Sequence, residues 1–471
     1  MVDPFHAPGT PLGPMPEKGR PAVLVGCGFA MLSALRPLRH RNYTLIWSAA
    51  LLSNVGSWIQ TVAVGVFVTA RTHQPGWTGL VAAAGFLPNG LLSPVGGLMA
   101  DRMDRRLWLF LTTLGEVAFA LALTLLAATG QATPAIVTLL VFGGGAMSAV
   151  GFPAYQAMLP DLVPPGELGP AISLSSAQFN LGRVIGPAIA GLAIVAGGYD
   201  WAFGINALSF LAVLVALMLV RLPPTERPKQ SARLVERLEE GFRAVVATPQ
   251  ARLAVILISV VALTASPFIA LIPAMALKAF SSAEAGTSVL VTAQGIGAVA
   301  GAIAITPLTR RFGRRRLLFA DIGALCVFLG GYSLSPSLWA GAVWLGLVGA
   351  SYIGVLAGLN TIVQLYAPPQ LRGRMLGIYM MALGILYPVG ALAQGAIAGR
   401  IGIRAMTAIG ALLLLALFVG LLARKVPREL GGDRSLPALP DQAALRPEAV
   451  GSPRTAVRVQ DEKSRPAPPR A

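Results

Sequence analysis

The sequence Gly97-Leu-Met-Ala-Asp-Arg-Met-Asp-Arg-Arg106 joins two long apolar segments, and a similar basic stretch, Arg310-Arg-Phe-Gly-Arg-Arg315, occupies the corresponding place in the second half of the chain. A second pair of similar stretches, Ala188-Ile-Ala-Gly191 and Ala396-Ile-Ala-Gly399, lies in the fifth and eleventh apolar segments. These repeats indicate duplication of a unit of six apolar segments. Such duplication is typical of secondary transporters, which bind their substrate between the halves near the middle of the membrane.

The apolar segments predict an all-α, polytopic membrane protein with twelve transmembrane helices. About 20 apolar residues in a helix span the hydrocarbon core of a bilayer. Of the 471 residues, 55% are apolar and only 12% are charged, which excludes an ordinary water-soluble domain. We place the helices at residues 44–70, 77–100, 107–129, 134–158, 168–196, 201–221, 252–277, 285–308, 316–335, 338–366, 372–399 and 403–423.

Lysine and arginine residues are concentrated in alternate connections between these segments. If the N-terminus is cytoplasmic, the inner connections contain 17 of these residues and the outer connections contain four: Arg71, Lys278, Arg400 and Arg404. Because basic residues hold loops on the cytoplasmic side, both termini are predicted to lie in the cytoplasm, at the inner membrane of a bacterium. The same rule explains the net charge of +17 without nucleic acid as a partner. The expected surroundings are the lipid bilayer, and the expected state is a monomer.

The layout predicts two six-helix bundles, residues 37–221 and 251–424, joined by a cytoplasmic linker at residues 222–250. Apolar residues at helical spacing beside arginines predict an amphipathic helix on the membrane surface in this linker. Tails at residues 1–36 and 425–471 are rich in Pro, Arg and small residues and are predicted to be disordered. The apolar residues of the linker are Leu234, Val235, Leu238, Phe242, Val245 and Val246.

Two interpretations of the N-terminal tail stay open. Residues 21–32 follow Lys18 and Arg20 and resemble the core of a short signal peptide. Alternatively, the tail lies upstream of the natural initiator, Met31.

The first motif resembles the cytoplasmic signature of the major facilitator superfamily, which joins the second and third helices and reads Gly, three residues, Asp, a base, one residue, Gly and two bases. Asp104 replaces the second Gly, and because Asp tolerates turns we expect the loop to be preserved. The resemblance implies that the motif Asp is a conformational latch, held against a helix N-terminus and an Arg of the opposite half. The alternative is a charge cluster that only orients the loop. The matching residues are Gly97, Asp101, Arg102, Arg105 and Arg106.

A glycine-rich face in the fifth segment predicts close packing with a neighbouring helix, and its proline permits a bend. The face resembles the Gly-Pro motif of exporters in the superfamily, although generic packing is an alternative. Stretches at residues 38–47, 158–168 and 364–374 resemble the enterobactin-exporter-like branch, also called the transmembrane secretion effector family. This resemblance covers about residues 38–424 and implies export more firmly than it implies a siderophore. The residues of the face are Gly182, Arg183, Gly186, Pro187 and Gly191.

Three charged residues lie inside predicted helices, where an unpaired charge is disfavoured by several kcal/mol. Glu116 is either a proton carrier or a tether to Arg183, and Arg183 is either a conformational strut or a substrate ligand. Asp321 lies near an arginine cluster and is expected to pair with one of those arginines. If Glu116 and Arg183 are linked, proton binding at Glu116 couples the proton gradient to the movement of the halves.

The predicted function is a proton-coupled secondary exporter, an antiporter that moves a small amphipathic molecule by alternating access. No Gly-Lys-Ser/Thr phosphate loop is present, which excludes ATP-driven transport, and no catalytic or metal-binding motif indicates an enzyme or a cofactor. A non-transporting sensor or scaffold, and a facilitator of uptake, are the alternatives. Candidate cavity residues are Asn54, Trp58, Gln60, Tyr155, Gln156, Gln294, Asn360 and Gln364.

Overall fold

The computed structural model describes residues 35–220, 234–368 and 370–423, and the regular elements in these ranges are all helices. Two short 3₁₀ helices occupy Arg36–Arg39 and Pro165–Glu167. The α-helices are α1 Arg41–Thr72, α2 Pro75–Arg102, α3 Arg105–Ala128, α4 Pro134–Leu162, α5 Leu168–Leu219, α6 Leu234–Ala247, α7 Pro249–Thr264, α8 Phe268–Phe280, α9 Glu284–Phe312, α10 Arg314–Ser333, α11 Leu338–Tyr366, α12 Arg372–Ile401 and α13 Ile403–Ala423.

Eleven helical stretches within the described ranges are long and apolar enough to cross a membrane, and one of them, Pro165–Leu219, has 55 residues. This long stretch contains the predicted fifth and sixth crossings without a loop between them. Its helical geometry is interrupted at Gly198, where φ is 83° and ψ is −171°. A positive φ of this kind is readily adopted by glycine because it lacks a Cβ.

The two arms of α5 form a hairpin, because both pack against the same part of α1. On the first arm, a Cβ on Gly186 would lie 2.5 Å from the Cβ of Trp58. On the second arm, Asn206 faces Gly56 of α1. A Cβ on Gly56 would lie 2.8 Å from the Oδ1 atom of Asn206. The chain therefore reverses at Gly198, and α5 supplies two crossings. The all-α fold predicted from the apolar segments is confirmed.

The first half has a close contact between α2 and α4, and the second half has an equivalent contact between α9 and α11. A Cβ on Gly96 of α2 would lie 2.5 Å from the carbonyl oxygen of Val150 on α4. In the second half, a Cβ on Gly301 of α9 would lie 2.6 Å from the carbonyl oxygen of Ala350 on α11. The two helices that lead into the repeated basic stretches, α2 and α9, therefore make equivalent contacts in the two halves.

The linker contains a helix, α6, that packs against the start of α12. Gly241 lies against the backbone of Arg374, and Glu240 forms an ion pair with the Arg374 side chain. Val245 is buried, whereas Phe242 on the neighbouring face is 59% exposed. The side chains of Leu234 and Val235 lie outside the described residues, as do most of the predicted tails and the stretch that includes Met31.

Candidate functional site

The two halves meet through several pairs of helices, and three of these pairs have a close contact at a glycine. The first pair is α2 with α12, where a Cβ on Gly90 would lie 2.7 Å from the carbonyl carbon of Gly384. The second pair is α5 with α9, where a Cβ on Gly191 would lie 2.7 Å from the hydroxyl of Ser288. In the third pair, a Cβ on Gly65 of α1 would lie 2.9 Å from the Cγ of Pro273 on α8. Each contact brings two backbones close together because at least one partner is glycine.

The contacts of Gly191 and Pro273 lie toward the end of the molecule with few basic residues, and the contact of Gly90 with Gly384 lies at the middle of α2 and α12. At the opposite, arginine-rich end, a Cβ on Gly97 of α2 or on Gly377 of α12 would meet no other atom within 4 Å. On α5, Ser176 is exposed although it lies two turns before the buried Arg183 on the same face. The halves therefore diverge toward the arginine-rich end and form a cleft that is closed at the other end.

Arg183 lies where the cleft closes. Its Nη2 atom donates a hydrogen bond to Oε1 of Gln294 on α9, at 2.8 Å. Its guanidinium carbon lies 5.4 Å from the ring centre of Trp58 on α1. The side chain of Arg183 is 8% exposed. This arrangement joins both halves through one cation, one amide and one aromatic ring, all three of which are predicted site residues.

Local sequence positions these three side chains. Gly182 and Gly186 allow α1 to approach α5, because a Cβ on Gly182 would lie 2.8 Å from the Cβ of Asn54. Gly295 allows α9 to approach from the other side, since its Cβ would lie 3.1 Å from the carbonyl oxygen of Arg183. The glycine face of the fifth segment therefore contacts α1 through two glycines and the opposite half through Gly191. Pro187 is buried within the helix between these contacts.

Two tyrosines that are not among the predicted site residues interact electrostatically with Arg183. Tyr352 of α11 donates a hydrogen bond to Ser266 at 2.9 Å, and its ring packs edge-on against Phe268. Tyr387 of α12 packs edge-on against Phe86 of α2, with ring centres 5.3 Å apart. In the sequence, each of the two is a tyrosine within an apolar segment. Tyrosines also occur at many positions that only pack against neighbouring helices, so this feature does not single them out. Only the tertiary arrangement brings these two phenols within electrostatic range of the Arg183 guanidinium.

The other candidate cavity residues have different surroundings. On α1, Gln60 accepts a hydrogen bond from Asn206 at 2.8 Å, within the first half. Tyr155 of α4 accepts a hydrogen bond from Gln178 at 2.9 Å, also within that half. On α11, Gln364 donates to Asn360 one turn earlier, at 2.5 Å. Gln156 is exposed. Of the predicted set, Trp58 and Gln294 contact the guanidinium directly.

The arginines of the latch motif hold the first half together at its arginine-rich end. Arg105 donates to a carboxylate oxygen of Asp161 on α4 at 3.0 Å. Arg106 donates to the carbonyl oxygens of Leu217 and Met218, at 2.6 and 3.1 Å. These carbonyls end α5, and a cation there is favourable because the C-terminus of a helix carries partial negative charge. Asp101 and Arg102 lie at the end of α2.

The replacement of the second motif Gly by Asp104 has a local explanation. Asp104 is the N-cap of α3, and its carboxylate accepts a hydrogen bond from the backbone N–H of Leu107 at 2.8 Å. Its φ is −62°, so this turn does not require glycine. An acid at an N-cap stabilises the start of a helix.

Glu116 and Arg183 are not in contact in this conformation. The Glu116 carboxyl lies next to the hydroxyl of Ser148 on α4, within the first half. The contacts of Arg183 within the described ranges are to the neutral groups named above. One of the two expected forms of their link, a direct tether, is therefore absent here, because α3 and α5 present these side chains to different neighbours.

Asp321 also differs from expectation. It lines a separate pocket of about 390 Å³ within the second half, together with Arg310 and Arg314. No ion pair to either arginine is present in the described part of the chain. Its carboxylate lies over Gly354 of α11 instead. The corresponding contact in the first half is between Thr112 and Gly151. The absence of a Cβ on Gly354 provides the space that the carboxylate occupies.

Among the described residues, no group of three or more His, Cys, Asp or Glu side chains could hold a metal ion. The candidate site is the cleft between the two halves, which is bordered by the buried cation of Arg183 and by aromatic rings.

Solved structures share this arrangement. The crystal structure of the nucleoside transporter NupG covers 81% of this chain and 98% of its own, with a TM-score of 0.65 and 14% sequence identity. A bacterial homologue of the human lysosomal transporter Spinster, crystallised in an inward-facing and unoccupied conformation, covers 82% of this chain and 96% of its own, with a TM-score of 0.61 and 16% identity. The fold is that of the major facilitator superfamily of membrane transporters.

Sequence relatives specify the branch. A family model described as transmembrane secretion effector matches residues 32–445, and the chain belongs to this family. The multidrug efflux pump Tap of Mycolicibacterium fortuitum is 28% identical over 397 residues, covering 82% of this chain and 95% of Tap. The enterobactin exporter EntS of Citrobacter koseri is 27% identical over 417 residues, covering 86% of this chain and 96% of EntS. The chain is a multi-pass membrane transporter and not an enzyme, as the sequence predicted.

Proposed function

We propose that this chain is a secondary active exporter of small amphipathic molecules, working in a bacterial inner membrane by alternating access as a proton antiporter. The observation that carries the proposal is the cleft between the halves, which is closed at one end and open at the arginine-rich end. Basic connections favour the cytoplasmic side, so the open end would face the cytoplasm. A substrate would then be loaded from inside the cell, as export requires.

Relatives support the export direction. Tap is named an efflux pump and EntS an exporter, and both match over most of their length. The cleft is formed by helices of a single chain, which supports a monomer as the transporting unit. The rings of Trp58 and Tyr387 near Arg183 favour a substrate that has an apolar or aromatic body.

The glycine register of α2 and α12 supports alternating access. Gly79 packs against Gly395 and Gly90 against Gly384. In this antiparallel pair, eleven residues forward on α2 correspond to eleven residues backward on α12. A further step of seven residues brings Gly97 opposite Gly377, the two glycines that have no neighbours in the open cleft. Closure of the arginine-rich end would extend the same contact.

The register also supports the latch role of Asp101. Four residues beyond Gly97 on α2, Asp101 corresponds to residue 373, in the first turn of α12, which begins at Arg372. The N-terminus of a helix carries partial positive charge and favours an anion. Asp101 would therefore reach this helix end and the adjacent arginines when the halves close.

For proton coupling, Glu116 is the proposed carrier. It lies next to Ser148 on α4, two residues before Val150, whose backbone contacts Gly96 of α2. Protonation of Glu116 would thus act on α2 through α4, without a direct contact to Arg183. This route replaces the direct tether that the structure lacks.

Everted membrane vesicles from cells that express the chain test this function. Respiration acidifies their interior, and ethidium or enterobactin is added outside, at the exposed cytoplasmic face. We expect the compound to accumulate inside and protons to leave, seen as recovery of a quenched pH-sensitive dye. Vesicles without the protein are the control. Accumulation that persists after the gradient is collapsed would contradict proton antiport, and accumulation only in whole cells would indicate uptake.

A further inference from the structure

Arg183 is a buried cation without a carboxylate partner in the described part of the chain. Its contacts are the amide oxygen of Gln294 and the ring of Trp58, and the titratable groups around it are the phenols of Tyr352 and Tyr387. Removing a charge from water has a large energetic cost unless an opposite charge compensates it. The surroundings of the guanidinium therefore lack the negative charge that burial requires.

Hydrogen-bond donors are also in excess here. The Nε atom of Arg183 and the Nε2 atom of Gln294 are both buried and have no hydrogen-bond partner. Both nitrogens carry hydrogens and can only donate. A buried donor without an acceptor destabilises the folded protein, because it has lost its hydrogen bonds to water. Each half of the protein therefore supplies one unsatisfied donor on a side chain of the Arg183–Gln294 hydrogen bond.

We propose that Arg183 and Gln294 form a binding site for a monovalent anion, a carboxylate or phenolate group of the substrate or a free halide. One guanidinium compensates one negative charge, which favours a monoanion over a phosphate dianion. The inference that the anion belongs to the substrate rests on the proposed function, whereas binding of the anion does not. Because α5 and α9 each supply a donor, the bound anion would hold the halves together at the closed end of the cleft.

The side chains between the open end of the cleft and Arg183 indicate what kind of molecule can carry the anion. Trp58 is only half-buried and packs edge-on against Phe179, which is 49% exposed, with ring centres 6.4 Å apart. Phe179 lies one turn before Arg183, toward the arginine-rich end. A flat apolar group would lie along these rings while its anionic end reaches the guanidinium.

Thermal unfolding of the purified full-length protein in detergent tests the site. Melting temperatures are measured at constant ionic strength with sodium benzoate, with the neutral analogue benzamide, and with chloride against gluconate. We expect benzoate to raise Tm saturably and benzamide to leave it unchanged. A rise with chloride that benzoate then displaces identifies a halide as a second occupant of the same site. A rise with benzoate alone identifies an organic anion.

Substitutions locate the response. Gln294→Glu places a carboxylate beside Arg183, so this variant should melt higher without added anion and bind benzoate at least tenfold more weakly. Arg183→Lys retains the charge and removes Nε, and it should also weaken benzoate binding tenfold or more. Gln178→Glu is the matched control, because Gln178 is equally buried on α5 but contacts Tyr155 within the first half. It should retain the benzoate response.

Two results would overturn the proposal. One is a parent protein whose Tm responds to neither benzoate nor chloride. The other is a Gln294→Glu variant that responds as the parent does. Tm reports binding independently of transport. An anion response in a protein that exports nothing would therefore refute the proposed function and leave the anion site supported. Export by a protein that shows no anion response would refute the anion site and leave the proposed function supported.

Discussion

Gly90 of α2 and Gly384 of α12 lie face to face, so that a Cβ on Gly384 would be 2.9 Å from the Cα of Gly90. This contact joins the two halves at the middle of both helices, where the cleft begins. Toward the closed end the same two helices continue in contact through Gly79 and Gly395, and toward the open end they separate. The pair therefore marks the pivot about which the proposed closure takes place.

Cysteines at Gly97 and Gly377 should form a disulfide bond only when the arginine-rich end closes. A disulfide needs Cα atoms about 4.4–6.8 Å apart, a distance that the register predicts for the closed state. In a background with Cys27 and Cys326 replaced by Ser, we expect oxidant to cross-link Gly97→Cys with Gly377→Cys and to stop transport until a reductant is added. Gly97→Cys with Gly399→Cys, at opposite ends, is the control. Equal cross-linking in both pairs would reject the register.

Replacing Asp101 by Asn should slow transport and leave expression unchanged. The substitution removes the negative charge that the proposed closed state places at the N-terminus of α12, an interaction of about 0.3–1 kcal/mol or more. The population should shift toward the open cleft, measured as a lower yield of the cross-link between positions 97 and 377. Unchanged transport and cross-linking would leave only the role of a charge cluster.

Gly186→Leu should destabilise the protein by about 1–3 kcal/mol, the usual range for overpacking. A side chain at this position would meet the Cβ of Trp58 and the carbonyl oxygen of Val55, at 2.5 and 2.8 Å from its first carbon. The measurement is the melting temperature together with the transport rate. Gly169→Leu is the control on the same helix, because a Cβ there meets open space. If both variants behave like the parent, the interpretation of the glycine-rich face as a close packing surface is incorrect.

Glu116→Gln should remove the dependence of transport on the pH gradient if Glu116 is the proton carrier. Transport is measured against pH in Glu116→Gln, in Arg183→Gln and in the double variant. Because the two side chains do not touch, we expect their coupling to run through α4 and α2 and to appear as non-additive losses. Additive losses would refute the link. Coupled losses with an unchanged pH profile would indicate that both residues only brace the first half.

Reporter fusions should place the connection between the first two helices and the C-terminal tail on opposite sides of the membrane, as the basic connections predict. A reporter at Thr72 is expected on the periplasmic side and one at Gly432 in the cytoplasm, because 17 of the basic connecting residues lie on the inner side and four on the outer side. Agreement between the two reporters would overturn the topology and, with it, the assignment of the open end to the cytoplasm.

Sequence alone determined the features that depend on local composition. Apolar length defined the helices, and the repeat of the basic motif identified the duplicated halves. The sequence also predicted that the loop at Asp104 is preserved, because Asp tolerates turns. Each of these properties is read along the chain, so the positions of distant segments are not needed.

The tertiary structure decided which side chains contact each other across the fold. Arg183 contacts Gln294, which is 111 residues away, instead of the oppositely charged Glu116 in the same half. Asp321 lies over Gly354 instead of pairing with a nearby arginine, and Gly97 faces the open cleft while its neighbour Gly96 makes the tight contact. Such choices depend on how helices rotate and cross when their small residues pack together, and a one-residue difference turns a side chain by about 100° around the helix. Charge and spacing in the sequence carry no information on that rotation relative to a distant helix.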